Sequence, residues 1–282
     1  MNCRILFENL ADKGALSASS QVPTLPVAKL QDMQRTLVWR ATGCADEYVD
    51  IACAEGTSYA AALGLVNHNL GGAASLIISA GSTPGGSDIF SVAMDVWPSL
   101  FGAGEGAPGE HGAGGGLADD EISELYTDPT TLIYFGPCSA PYYRVRLQDP
   151  TNAAGYVQAG RLFLGPYLEM PVQFDWGYRP GVKSLSKKTY SDSGARWVDR
   201  KRFCRTVELP FKRLPTDVLM WDVKRLQLMG YEGFLILDGK PGAPSTLERQ
   251  EMLIYSELVD TDSPTMIFDN QGDYTLRVQE LL

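Results

Sequence analysis

Hydrophobic and polar residues alternate with a period of two along most of this chain, and that alternation predicts short β-strands joined by turns. It is clearest in residues 142–166, where Arg144 and Arg146 alternate with apolar side chains. Turn-forming residues then occupy 149–155, and a second apolar run follows. Shorter runs of the same kind occur at 38–40, 48–51, 63–66, 75–79, 94–97 and 132–135.

The last third of the chain contains more strand-like runs and one change of period. The predicted strands are 172–178, 184–190, 195–198, 203–209, 234–237, 251–258, 265–268 and 274–279. Between them, residues 215–229 place apolar side chains about 3.6 positions apart, with Pro215 at the start and Gly230 at the end. We therefore predict one helix at 215–229 in a chain that is otherwise mainly β, as its 29 Gly and 17 Pro also indicate.

The order of the short motifs before residue 166 carries a family resemblance. These motifs are 18–20, 25–32, 38–40, 48–51, 61–70 and the closing Gly-Arg-Leu-Phe-Leu-Gly-Pro phrase at 160–166. In this order they resemble a discoidin-type jelly roll, and most of all the jelly-roll domains in tail and baseplate proteins of long-tailed bacteriophages. The resemblance implies an N-terminal galactose-binding-like jelly-roll β-sandwich over 1–166. We expect a smaller β-rich α+β assembly domain with one helix over 167–282.

A glycine-rich segment interrupts the first domain at about 102–116, where eight of the residues are glycine. It lacks the GxxxxGK[ST] pattern of a phosphate-binding loop, and its nearby charges are acidic. Because it has almost no apolar content, we predict an exposed loop insertion rather than a nucleotide site.

Charge is distributed unevenly along the chain, whose formal net charge is −10. Residues 1–150 hold 7 basic and 17 acidic side chains, whereas 151–282 hold 17 of each. Within 179–213, eleven basic residues face three acidic ones. We predict that this basic segment binds the acidic first half of a neighbouring copy, chiefly through Arg196, Arg200, Lys201, Arg202 and Arg205. The overall negative charge argues against nucleic acid as the partner.

Little in the sequence points to catalysis. Both histidines, His68 and His111, lie in predicted loops without a nucleophile elbow, so we predict no Ser/His enzyme. The five cysteines are scattered and lack ligand-spaced histidines, so we expect reduced thiols and neither a metal nor a cofactor. Two acidic side chains can cleave glycosides without a recognisable motif, and 46–50 and 119–121 contain acidic residues of this type. Nothing else in the sequence marks them as catalytic, so we interpret them as solvated loop residues. We predict that the chain is not an enzyme.

Sugar binding is the alternative that the fold suggests. Jelly rolls of the discoidin and carbohydrate-binding kind hold sugars by stacking aromatic rings, and Trp39, Trp97 and Tyr142 are the candidate stacking residues. Trp39 lies inside a strand-like run, where a large ring is more often buried.

The resemblance implies a structural role at the tip of a bacteriophage tail. Proteins of that kind form a ring or hub that joins the tail tube to baseplate and fibre proteins. We therefore expect a self-assembling distal-tail component, made in the bacterial cytoplasm and located in the virion. No run of about 20 apolar residues is present, and we expect no membrane insertion. The alternatives are a carbohydrate-binding adhesin module that contacts host glycans and a glycoside-cleaving tail enzyme.

Overall fold

The chain folds into two compact units, which we describe from a computed structural model. The structure describes residues 2–97, 129–192, 195–229, 234–241, 252–259, 263–268 and 270–282. One unit comprises Glu8–Tyr167 with Asp238–Leu253, and the other comprises Met1–Phe7, Leu168–Leu237 and Ile254–Leu282. We call them the sandwich unit and the arm unit.

Strands dominate both units. In chain order they are β1 (Arg4–Leu6), β2 (Ala15–Ala18), β3 (Trp39–Arg40), β4 (Glu47–Ala52), β5 (Ser58–Val66), β6 (Ser75–Gly81), β7 (Phe90–Asp95), β8 (Thr130–Ala140), β9 (Tyr142–Gln148), β10 (Gln158–Ala159), β11 (Arg161–Gly165), β12 (Leu168–Glu169), β13 (Arg179–Ser184), β14 (Lys187–Tyr190), β15 (Arg196–Asp199), β16 (Phe203–Pro215), β17 (Phe234–Asp238), β18 (Leu253–Leu258), β19 (Thr265–Phe268) and β20 (Gln271–Glu280). The helical segments are α1 (Leu10–Lys13), a 3₁₀ turn (Val27–Gln31), α2 (Thr216–Val218), a π-helical turn (Leu219–Val223) and α3 (Lys224–Met229).

The sandwich unit is built from two antiparallel sheets. One has five strands in the order β2-β4-β9-β6-β7, and the other has three in the order β11-β5-β8. Strand β9 shows why the sheets face each other: Tyr143, Val145 and Leu147 are buried, while Arg144 and Arg146 on the opposite face are only partly covered. The inward residues of both sheets form one continuous hydrophobic core. The predicted mainly β fold with a jelly-roll sandwich is confirmed.

The arm unit is organised around one sheet, in the order β12-β1-β17-β18-β20-β16-β13, with β19 paired to β20. Strand β1 pairs with β12 through Arg4 opposite Glu169. The first seven residues therefore belong to the arm unit, although the sequence had placed all of 1–166 in one domain. The sequence-based boundary at 166/167 lies one residue before the division between Tyr167 and Leu168.

The predicted helix at 215–229 is confirmed, because α2, the π-helical turn and α3 run continuously from Thr216 to Met229. Leu219, Val223 and Leu226 are buried at a helical spacing. None of the helices among the described residues is long and apolar enough to cross a bilayer. The predicted glycine-rich insertion at 102–116 lies outside the described residues.

Candidate functional site

A two-stranded ribbon extends from the sheet of the arm unit, and we call residues 182–203 the arm. Its base is the pair β13 and β16, which ends with Ser184 opposite Phe203. The ribbon continues as β14 and β15, from Lys187 opposite Asp199 to Tyr190 opposite Arg196. Among the described residues, β14 and β15 pair only with each other. The arm is therefore a hairpin without a neighbouring strand.

The arm carries large apolar side chains in water. Trp197 is 72% exposed, Tyr190 is 65% exposed and Phe203 is 63% exposed. Every described residue from Gly181 to Phe203 is exposed except Ser186, which is half-buried. Alternation along β14 and β15 puts Tyr190 on one face and Trp197 on the other. Neither face of the ribbon is covered by the rest of its own unit.

The five predicted basic contact residues all lie on this ribbon or at its base. Arg196, Arg200, Lys201 and Arg202 are exposed, and the Lys201 Nζ lies 3.8 Å from an Asp199 oxygen. Arg205 differs because Glu280 accepts three hydrogen bonds from it: one from its main-chain N–H at 3.0 Å and two from its guanidinium at 3.2 and 2.9 Å. Arg205 therefore anchors β16 to β20.

The three candidate stacking aromatics do not come together. Trp39 is fully buried and donates its indole N–H to the Ser20 carbonyl, at 3.2 Å. Trp97 is 2% exposed and donates to the Leu70 carbonyl at 2.9 Å. Since both rings fill the core, neither offers a face to a sugar. Tyr142 alone of the three is half-buried, on the outer face of the five-stranded sheet.

The acidic residues of the first half that the structure describes are largely engaged within their own unit. Asp50 accepts two hydrogen bonds from the Arg144 guanidinium, at 2.6 and 2.7 Å. Asp46 accepts two from Arg146, and these hydrogen bonds lower the pKa of the Asp46 carboxyl. Glu47 is buried and accepts hydrogen bonds from neighbouring serine hydroxyls. These carboxylates are structural ion pairs and hydrogen-bond acceptors on the sheet.

No catalytic arrangement is visible in the parts of the chain that the structure describes. His68 is buried, and its Nε2 lies 2.8 Å from the Thr131 hydroxyl. Burial lowers the pKa of His68 to about 3, which makes it neutral and structural. Within those residues no three His, Cys, Asp or Glu side chains cluster to hold a metal ion. His111 and residues 119–121 lie outside the described residues.

Sequence reasoning missed the extent of exposure in the arm unit. Fourteen of the seventeen large apolar side chains that are exposed among the described residues belong to it. They include Trp176 before the arm, Trp221 on the helix and three residues of β19, Met266, Ile267 and Phe268. The sequence did contain a signal for this exposure. Each face of a hairpin at 187–199 carries both apolar and charged residues, so neither face can be buried in a core.

No family model matches the chain, and no curated protein matches it by sequence. Solved structures that resemble it include chitosan-binding module 2 of a chitosanase/glucanase from Paenibacillus sp. IK-5, in complex with chitotriose. That match has 19% identity and a TM-score of 0.37, and it covers 56% of this chain and 100% of the module. Another is the family 32 carbohydrate-binding module of NanJ from C. perfringens, in complex with galactose. It has 10% identity and a TM-score of 0.36, and it covers 58% of this chain and 99% of the module. Identities and TM-scores this low do not indicate a shared ligand.

Proposed function

We propose that this chain is a structural subunit that assembles with copies of itself through the arm unit. The observation that carries the proposal is the exposure of Trp197, Tyr190 and Phe203 on a hairpin without a neighbouring strand among the described residues. A two-stranded hairpin is only marginally stable in water by itself. Large apolar side chains left in water on both faces of such a hairpin are unusual for a surface that no partner covers, and they mark an interaction site. A partner that covers the arm would supply the packing that its own unit does not.

The charges around the arm favour a protein partner. The arm, residues 182–203, contains seven basic and two acidic side chains, in a chain whose net charge is −10. A local acidic surface on another copy is therefore attracted to the arm, whereas a long polyanion such as nucleic acid extends beyond the arm and is repelled by the rest of the molecule. Apolar residues supply the affinity and basic residues guide the encounter.

The assembly proposed is the distal-tail or baseplate ring of a long-tailed bacteriophage, on the motif resemblance of residues 3–166. In that arrangement the arm unit builds the ring and the sandwich unit faces outward to neighbouring tail proteins. In this role the protein binds neighbouring subunits in a fixed arrangement and does not convert a substrate.

The test is the oligomeric state of the purified full-length chain, measured by analytical ultracentrifugation across a range of concentrations and by electron microscopy. We expect discrete closed oligomers. Replacing Trp197 by Ala should weaken assembly at least tenfold in dissociation constant and leave the melting temperature of the dissociated chain unchanged, because the Trp197 indole is exposed in the free chain. Tyr59→Ala removes an aromatic ring that is 50% exposed on the sandwich unit and serves as the matched control. A monomer at every concentration would refute the proposal.

Glycan binding is the second candidate, and the position of Tyr142 is the observation that favours it. Its cross-strand neighbours on the outer sheet face are Ala52 and Gly81, and the phenol ring there is half-buried and not enclosed in the core. An aromatic ring in such a position can stack on a sugar. We expect saturable binding to a glycan array that Tyr142→Ala abolishes and Tyr59→Ala does not. No binding at millimolar sugar would eliminate this candidate.

A further inference from the structure

Arg40 on the sandwich unit is a cation whose counter-ion is not among the described residues. Three other arginines of this unit each pair with an aspartate, namely Arg144 with Asp50, Arg146 with Asp46 and Arg161 with Asp12. Arg40 makes no ion pair with any residue that the structure describes. A guanidinium stays charged at neutral pH, so this charge is available to a ligand.

The strand pair β3 and β10 directs Arg40 away from the core. Arg40 lies directly opposite Gln158, and next to them the buried Trp39 lies opposite the buried Ala159. Because neighbouring residues of a strand point to opposite faces, Arg40 and Gln158 share the outer face. Tyr156, two residues before Gln158, places its ring against the Arg40 guanidinium. All three outward residues are half-buried.

Two contacts fix the Arg40 guanidinium and leave one of its edges open. The Gln158 Oε1 accepts hydrogen bonds from Nε at 3.1 Å and from Nη2 at 2.7 Å. The centre of the Tyr156 ring lies 4.1 Å from Cζ and covers one face. Among the described residues Nη1 has no hydrogen-bond partner, and it is not buried. The Nη1–Nη2 edge therefore presents two parallel N–H groups, the arrangement that binds a carboxylate through two hydrogen bonds.

A second layer of hydrogen bonds holds Tyr156 and Gln158 in place. The Asn69 side chain donates to the Tyr156 carbonyl at 2.8 Å and accepts the Gln158 N–H at 2.7 Å. The Asn152 side chain donates to the Asn69 carbonyl and to the carboxylate of Asp149, at 2.8 Å each, and Asp149 is fully buried. A binding group supported in this way is pre-organised, because little conformational entropy remains to be lost when a ligand binds.

We propose that Arg40 binds the carboxylate of a ligand at its Nη1–Nη2 edge, with Gln158 and Tyr156 as positioning residues. One guanidinium charge balances one carboxylate, whereas a phosphate ester carries close to two negative charges at neutral pH. A planar carboxylate also lies in the plane of the guanidinium, beside the Tyr156 ring. A sugar acid and an acidic amino acid both supply this group. The site belongs to the sandwich unit and requires neither the arm nor self-assembly.

Isothermal titration calorimetry of the full-length chain with D-glucuronate at low ionic strength tests the site. We expect saturable binding in the millimolar range, and none of D-glucose, which lacks the carboxylate. Arg40→Ala should weaken binding at least tenfold. Arg40→Lys should also weaken it, because an ammonium lacks the two parallel N–H groups. Lys13→Ala removes one positive charge from an exposed position of the same unit and is the matched control, with binding unchanged.

Two further variants test the site without removing Arg40. Gln158→Glu places a carboxylate of nearly the same shape beside the guanidinium, so the internal ion pair should abolish binding of D-glucuronate while the chain stays folded by circular dichroism. Tyr156→Ala should weaken binding severalfold, whereas Tyr156→Phe keeps the ring and should retain it. Tyr142→Ala should leave binding unchanged, which separates this site from the glycan candidate on the outer sheet face.

The remaining probes identify the source of the carboxylate. N-acetylglutamate amide that binds as D-glucuronate does supports a site that recognises the carboxylate alone, and binding of only one of the two names its source. Equal binding of D-glucose, or preference for inorganic phosphate over both carboxylates, overturns the assignment. Wild-type affinity in Arg40→Ala or Gln158→Glu overturns the site, and wild-type affinity in Arg40→Lys overturns the paired hydrogen bonds. Failure of both carboxylates to bind overturns the proposal and leaves self-assembly through the arm untouched.

Discussion

Acidification should destabilise the sandwich unit through His68, a side chain that is 4% exposed. Its Nδ1 accepts the Leu70 N–H at 3.3 Å, so the ring proton lies on Nε2, which donates to the Thr131 hydroxyl at 2.8 Å. A second proton would have to occupy Nδ1 and would face the Leu70 N–H. Burial lowers the pKa of His68 to about 3, from an ordinary value of 6.5.

The sign of the effect follows from the two pKa values. Below pH 6.5 the unfolded chain binds a proton at His68, whereas the folded chain does so only near pH 3. The free energy of unfolding is therefore largest above pH 6.5 and falls as the pH decreases, by about 1.4 kcal/mol per pH unit. Between pH 6.5 and 5 the loss amounts to about 2 kcal/mol.

Urea unfolding at pH 7, 6 and 5, followed by circular dichroism, measures this loss. His68→Gln removes the titrating group, so the difference between the variant and the wild type isolates the histidine from carboxylates that titrate at lower pH. Thr131→Val is the control: it removes the hydroxyl partner and lowers stability, but it retains the pH dependence because the histidine remains. Parallel pH dependences for the wild type and His68→Gln would refute the reasoning.

Two further predictions concern the packing of the sandwich unit. Asn9 is buried, and its side chain caps α1 and makes hydrogen bonds to two main-chain groups of β11, at 2.9 Å each. Asn9→Ala should lower the free energy of unfolding by about 2–4 kcal/mol in urea titrations, because it leaves the Leu162 carbonyl and the Leu164 N–H without their side-chain partner. Gly160→Ala would place a Cβ 2.1 Å from the Arg35 carbonyl oxygen, so we expect little soluble folded protein, whereas Gly136→Ala, whose nearest contact is 3.4 Å away, should change the melting temperature by no more than a few degrees.

The sandwich was predictable from the sequence because one face of each strand is buried and the other is not. Val145 and Leu147 point inward while Arg144 and Arg146 point outward, so the alternation directly reports the fold. The helix was predictable for the same reason, since its buried residues recur at a helical spacing. In both cases the spacing of apolar residues within one short segment is enough to predict the element.

Pairing between distant segments was not predictable. Strand β1 is three residues long, and its partner β12 has two, so neither contains enough alternation to specify a register. Their contact is fixed by the Arg4–Glu169 ion pair, 165 residues apart in sequence, and by the rest of the sheet. The exposure of Trp197 was hidden for a different reason: alternation tells which residues share a face but not whether anything covers that face.

The five tryptophans show how differently the two units treat the same side chain. Trp39 and Trp97 are buried in the sandwich unit, where two facing sheets enclose a core. Trp176, Trp197 and Trp221 are 96%, 72% and 73% exposed in the arm unit, which is organised around a single sheet. Burying such a ring is among the largest apolar contributions that one residue makes. The sandwich unit obtains this contribution from its own fold, whereas the arm unit leaves its three tryptophan rings exposed. This contrast supports the proposal that the arm unit, and not the sandwich unit, buries its remaining apolar surface by assembly with other subunits.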